Sequence, residues 1–213
     1  MSKERPILFS APMVRALLAG TKTQTRRVVK QEPPDEVDGC CWVDLDGVHQ
    51  FAWTIGEDQD IHPSATQFSC PHGQPGDRLW VRETHYLHGI WGVHKDEHGK
   101  RRWSFHPNRD MGVQLSEPNG FIRGRSTTVP GWHRRPSIHM PRWASRITLE
   151  VTEVRVERLQ DISEADAQVE GVYTDPACPA YDAYAQLWDE INGAGSWEAN
   201  PWVWAITFKR VEK

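Results

Sequence analysis

The stretch LLAGTKTQTRRVVK, residues 17–30, puts three threonines, two lysines and two arginines directly behind a short apolar segment. In a chain of net charge −4, such a gathering fits a solvated strand edge. It also fits the wall of a site that handles something anionic or carbonyl-containing. Two further stretches carry groups of the same kind. In LWVRET, Arg82 and Glu83 can form a buried pair or contact a substrate. In IHMPRWASR, His139, Arg142 and Trp143 can clamp a base or a phosphate, stacking included, or form a loop packed on the core. Cys40, Cys41 and Cys70 with His72 lack the paired C-x-x-C spacing of a zinc site, so the four cysteines are read as free thiols and no metal is expected.

The elements that must position these groups come from a chain long enough for a sizeable core. Only 38% of its residues are hydrophobic, yet it holds eleven tryptophans, so large aromatics must supply much of the burial. The charge is segregated: residues 1–30 carry +6, 31–98 carry −10, 99–146 carry +8 and 147–213 carry −8. If the basic blocks meet, they make a face suited to phosphate or nucleic acid; otherwise they neutralise the acidic blocks. No leader-like or membrane-spanning apolar run is present, which gives the expectation of a cytoplasmic protein with no membrane partner.

RPILFS reads as a strand. Ser10, Pro12, Met13, Leu17 and Leu18 then give helical spacing, with Gly20 as the stop. TQTRRVV follows with strand composition. Residues 31–75 look irregular, GDRLWVRETH is a strand entered through a Pro-Gly turn, and residues 86–136 show no clear periodicity. SRITLEVTEVRVERL alternates as one long strand or a hairpin. Ser163 and Asp166 start a helix that stops at Gly171, and Tyr181, Tyr184, Ala185, Trp188 and Ile191 mark a second amphipathic helix. PWVWAITFKRV closes as a strand. The predicted architecture is α+β: one domain over 1–213, a small, mostly antiparallel barrel with helices at its rim and two long irregular insertions, about 31–69 and 87–136.

A helix ending LLAG, then TKTQTRR, PGDRLWVRET, LQDISEADAQVEGV and the final PWVWAITFKRV together resemble the ASCH-domain family, in particular its larger versions from bacteriophages and prophages. The resemblance implies a PUA-like β-barrel akin to RNA-binding modules. Some compact members of that family are amidohydrolases that remove the acetyl group from N4-acetylcytidine. Their Lys, Thr and Glu triad falls on Lys22, Thr25 and Glu170 here, without a metal or other cofactor, and Arg27 matches the arginine that closes the segment.

Amide hydrolysis needs a nucleophile, a base and a proton for the leaving nitrogen. Thr25 is the candidate nucleophile or water holder. Lys22 becomes a base if burial and the adjacent Arg26 and Arg27 lower its pKa. Glu170, in the last turn of its predicted helix, feels the negative end of the helix dipole, which favours the protonated acid. On a regular strand positions 22 and 25 face opposite sides, so Lys22 must stay in the turn after Gly20 or a bulge must intervene. The plain readings are a solvated loop lysine, a strand threonine and a surface helix glutamate. The alternative function is a reader of RNA or modified nucleic acid, with Lys22, Arg26, Arg27 and the 100–146 block on phosphates; a nuclease lacks an acidic metal-binding cluster.

Overall fold

The structure, a computed structural model, describes residues 2–31, 33–34, 37–45, 48–56, 58, 60–61, 67–172 and 178–211. In chain order these form β1 (Glu4–Leu8), α1 (Ala11–Ala19), β2 (Gln24–Val28), β3 (Gly39–Leu45), β4 (Val48–Ile55), β5 (Asp60–Ile61), β6 (Arg78–Arg82) and β7 (His85–Lys95). They continue with β8 (Arg101–Pro107), β9 (Val113–Gln114), β10 (Gly131–Arg135), β11 (Thr148–Arg158), α2 (Glu164–Val169), α3 (Ala180–Asn192) and β12 (Trp202–Val211). The chain is α+β with mostly antiparallel sheets. Among the described residues the strands form three sheets, not a closed barrel.

The chain divides into two compact units: Met1–Arg5, Pro12–Leu79 and Thr148–Lys213 make the first, Pro6–Ala11 and Trp80–Ile147 the second. Both stretches expected to be irregular contain strands. Residues 39–61 hold the sheet β3-β4-β5, and residues 85–135 hold β7, flanked by β8, β9 and β10. Long β7 is possible because Gly89 and Gly92 leave room for the neighbouring strand; a Cβ on Gly89 would lie 2.4 Å from the His106 carbonyl oxygen.

In the first unit, β11, β12 and β2 are successive neighbours in the order β1-β6-β11-β12-β2. Alternation along β12 sends Trp202 and Trp204 to one face and Val203 to the other. Trp204 meets Phe51 at 5.0 Å and Phe68 at 5.5 Å, and Trp202 meets Trp53 at 5.1 Å between ring centroids. Val203 joins Leu159, Ile162, Ala167, Tyr184, Trp188 and Trp197 in a core over which α2 and α3 lie. This aromatic burial supplies what the low hydrophobic fraction otherwise lacks.

The long strand expected at 145–159 is single, and its register shifts between Val151 and Glu153. The bulge decides where its charges go. Val151 pairs with Phe208, but beyond the shift Arg155 pairs with Ala205 and Glu157 with Val203. Without the extra residue, Arg155 and Glu157 would oppose Trp204 and Trp202 on the aromatic face. With it, they face the helices, as do Gln24 and Arg26, which pair with Thr207 and Ala205.

The helix expectations hold in outline. Ser163 Oγ accepts from the Asp166 N–H at 3.0 Å, Gly20 has φ +78° and Gly171 φ +79°. Leu18 and Ile191, counted toward apolar faces, are 38% and 62% exposed. The four cysteines are free thiols, and burial pushes Cys40 up to about 12 and Cys70 to about 11. No described helix is long and apolar enough to cross a membrane.

Candidate active site

Strand β2 begins at Gln24, so Lys22 stays in the turn that leaves α1. The turn is fixed by backbone bonds from Lys22 N–H to the Ala16 carbonyl and from Thr23 N–H to the Val169 carbonyl. Phe208 N–H donates to Thr23 O and Val29 N–H to Trp202 O, so the odd positions of β2 direct their backbone groups toward β12. The carbonyls of Gln24 and Arg26 therefore point to the open edge, where side chains take them.

Lys22 Nζ donates to Gln24 O at 2.8 Å, Glu170 O at 2.7 Å and Glu170 Oε2 at 2.7 Å. Both partners are almost fully buried, with side chains 2% and 3% exposed. Glu170 caps the C-terminus of α2, so its carbonyl is one of those a helix end leaves open, and the ammonium satisfies it. Gly171 makes the approach possible: a Cβ there would meet the Cβ atoms of Ala16 and Lys22 at 2.9 Å.

Burial pulls Lys22 below the usual lysine range; Glu170 opposes this and Arg27 and Arg26 reinforce it. Each oxygen of Glu170 accepts from a cation, Oε2 from Lys22 and Oε1 from Arg26 Nη1 at 3.1 Å. Tyr184, a core residue of α3, lies near Glu170, and burial, then the Glu170 charge, raises its phenol well above its ordinary value.

Arg26, expected to contact substrate, has a guanidinium with no exposure and carboxylates around it. Nε donates to Glu157 at 2.8 Å, Nη1 to Gln24 Oε1 at 2.6 Å, and Nη2 lies 3.4 Å from Asp166. Gln24 Nε2 donates to Asp166 Oδ1 and Thr207 Oγ1, both at 3.2 Å. Arg26 thus lies among Glu170, Asp166 and Glu157.

Thr25 and Arg27 lie on the other face of β2, in register with Ile206 and Trp204. Arg27 Nη1 donates to Thr25 Oγ1 at 3.1 Å and to the Arg26 carbonyl at 3.0 Å, which brings the guanidinium to the open edge of the strand. The Thr25 hydroxyl therefore accepts from a cation and keeps its own proton to give. Burial lowers Arg27, and Glu170 opposes it. The His72 imidazole is lowered to about 4 by burial, then by Arg27 and Arg5.

The remaining expected contacts belong to the second unit. Arg82 and Glu83 do not pair. Arg82 stacks on Trp80 at 4.7 Å, whereas Glu83 takes a two-pronged bond from Arg146, 3.0 Å at each oxygen. His139 lines a groove with Arg134 and Arg135. Arg142 and Trp143 start a short 3-10 turn, and Arg109 covers the half-exposed Trp143 ring at 5.7 Å.

Sequence reasoning missed Gln24, Glu157, Asp166 and Tyr184. The signal for Glu157 was present: apolar positions run 147, 149, 151 and then 154, 156, a parity change that marks the bulge. Compared with known proteins, the chain matches no family model, no curated protein and no solved structure.

Proposed function

We propose that the chain is an amidohydrolase that removes the acyl group from an N4-acylated cytosine nucleoside or nucleotide, working without a metal, and that it is a larger, phage-type ASCH member with a PUA-like fold. The supporting observation is the buried 2.7 Å contact between Lys22 and Glu170, groups 148 residues apart in the chain. A solvated loop lysine or a surface glutamate would make no such contact.

The pair shares a proton. As an ion pair Nζ carries it; in the neutral form Oε2 carries it and Nζ is a free amine. The neutral form supplies both catalysts that deacylation requires. The Thr25 oxygen attacks the acyl carbon and its proton passes to Lys22 Nζ. The C–N4 bond breaks, and the Glu170 proton goes to the leaving nitrogen. Arg27, which donates to Thr25, is the cation placed to stabilise the oxyanion. Water then attacks the acyl-threonine ester and gives its proton to Glu170. The carboxylic acid leaves as Lys22 returns a proton to Thr25 Oγ. Because Thr25 lies on the face of β2 away from Gln24 and Arg26, its proton passes to and from Lys22 Nζ through one water at the open edge of the strand.

The test is incubation with N4-acetylcytidine and its nucleotide, quenched early, with intact-protein and peptide mass spectrometry. An acetyl mass increment on the Thr25 peptide, absent from Thr25→Val, supports the covalent route. Cytidine release with no increment, retained in Thr25→Val, assigns water as the nucleophile. No release from any acylated cytosine refutes the proposal.

A further inference from the structure

The two basic blocks meet different fates. The first is neutralised internally, since Arg26 and Lys22 lie against Glu157, Asp166 and Glu170. In the second, in the unit Trp80–Ile147, Arg102 and Arg146 pair with Asp96 and Glu83, but four arginines do not. There a groove of about 530 Å³ is lined by Trp91, Phe121 and four arginines, Arg123, Arg125, Arg134 and Arg135. Among the described residues none of these four guanidinium groups has a carboxylate partner. Arg102, outside the groove, is paired with Asp96 at 2.8 Å.

Three of the four guanidinium groups instead lie over rings. Arg125 stands 5.0 Å from Trp91 and 5.0 Å from Trp103; Arg135 stands 4.9 Å from Trp91 and 4.8 Å from Phe105. Arg123 covers Phe121 at 5.7 Å. Burial lowers the Arg135 guanidinium, and Arg125 lowers it further. Such crowding of like charge over aromatic rings, without carboxylates, favours an anion. Trp91 Nε1 and His133 Nε2 are also buried without a hydrogen-bond partner.

We infer that this groove binds single-stranded nucleic acid. Phosphates sit against the arginines, and bases continue the stacks begun by Arg125 and Arg135 on Trp91, Trp103 and Phe105. Planar cations layered on indole and phenyl rings offer both interactions a strand needs, electrostatic and stacking. A purely acidic partner would use only the first. The inference is independent of deacylation at Lys22, because every residue it uses lies in the second unit.

The experiment is fluorescence anisotropy of the full chain with labelled oligo-dC and oligo-rC twelve-mers. If three or four phosphates are neutralised, affinity falls about 20- to 50-fold between 50 and 200 mM salt. Arg125→Ala/Arg135→Ala should weaken binding by at least about tenfold and flatten the log–log salt slope by about 1.4. Arg125→Lys/Arg135→Lys should keep the slope and lose affinity, since lysine retains the charge without the plane. Arg102→Ala, outside the groove, should bind as wild type, and a failed hydrolase leaves this result intact because no groove residue takes part in deacylation. The inference is overturned if wild type does not bind at 50 mM salt, or if the groove variants bind unchanged. It is overturned equally if polyglutamate or cytidine monophosphate displaces the strand as well as unlabelled oligonucleotide does.

Discussion

Replacing Glu170 by Gln probes the buried pair most severely. The amide has one accepting oxygen where the carboxylate had two, so it can satisfy Lys22 or Arg26 and must present its NH2 to the other. Arg26 keeps Gln24, Glu157 and Asp166, and Lys22 keeps two carbonyls. Loss of one partner of a buried pair costs about 3–5 kcal/mol. Retained partners, and the lysine's ability to shed its proton, place this case near about 3 kcal/mol. Lys22→Met should cost less, about 1–2 kcal/mol, because Glu170 retains Arg26. The double variant should cost little more than Glu170→Gln alone, a coupling of about 1.5 kcal/mol. Thermal unfolding at neutral pH reads this directly, at roughly 2–4 °C per kcal/mol for a chain of this size.

The sign of the pH dependence follows. Without Glu170, the folded Lys22 lies further below the free value of 10.5, so the unfolded chain binds more protons across that window. Stability of Glu170→Gln should therefore recover as pH rises toward 10.5. Single-variant losses that add within about 0.5 kcal/mol, or no recovery at alkaline pH, would refute the reasoning.

Three other perturbations give clear outcomes. Arg26→Ala leaves three acidic side chains around an emptied buried position and should cost about 4 kcal/mol, with Arg26→Lys restoring less than half, read by denaturant midpoint. Gly171→Ala combines φ +79° with contacts at 2.9 Å to Ala16 and Lys22; a loss of about 2 kcal/mol in thermal unfolding is expected. For His72, a folded value of about 4 against 6.5 free means stability is lost as pH falls through that window. The loss should be about 2 kcal/mol after allowance for partial exposure, and His72→Asn should abolish that share of the acid sensitivity in urea titrations.

The parts of the fold legible in sequence are those where local chemistry and tertiary pattern agree. Ser163 caps α2, Gly20 and Gly171 end helices, and β12 alternates. Strands β3, β4, β7 and β8 were illegible because their Trp, His, Cys and Gly residues suit either face of a sheet, and pairing decides which. The Lys22–Glu170 meeting was reachable from the motif pattern. The role of Arg26 was not, since Glu157 faces it only through the β11 bulge and Asp166 looked like a cap residue alone.

The most direct measurement is cytidine release from N4-acetylcytidine by the wild type and by Lys22→Ala, Thr25→Ala and Glu170→Ala at matched folded concentration. Steady turnover by the wild type, reduced at least about 100-fold in the Lys22 and Glu170 variants, is the predicted result. Turnover that survives the loss of either member of the pair, or a wild type that releases no cytidine, would contradict it.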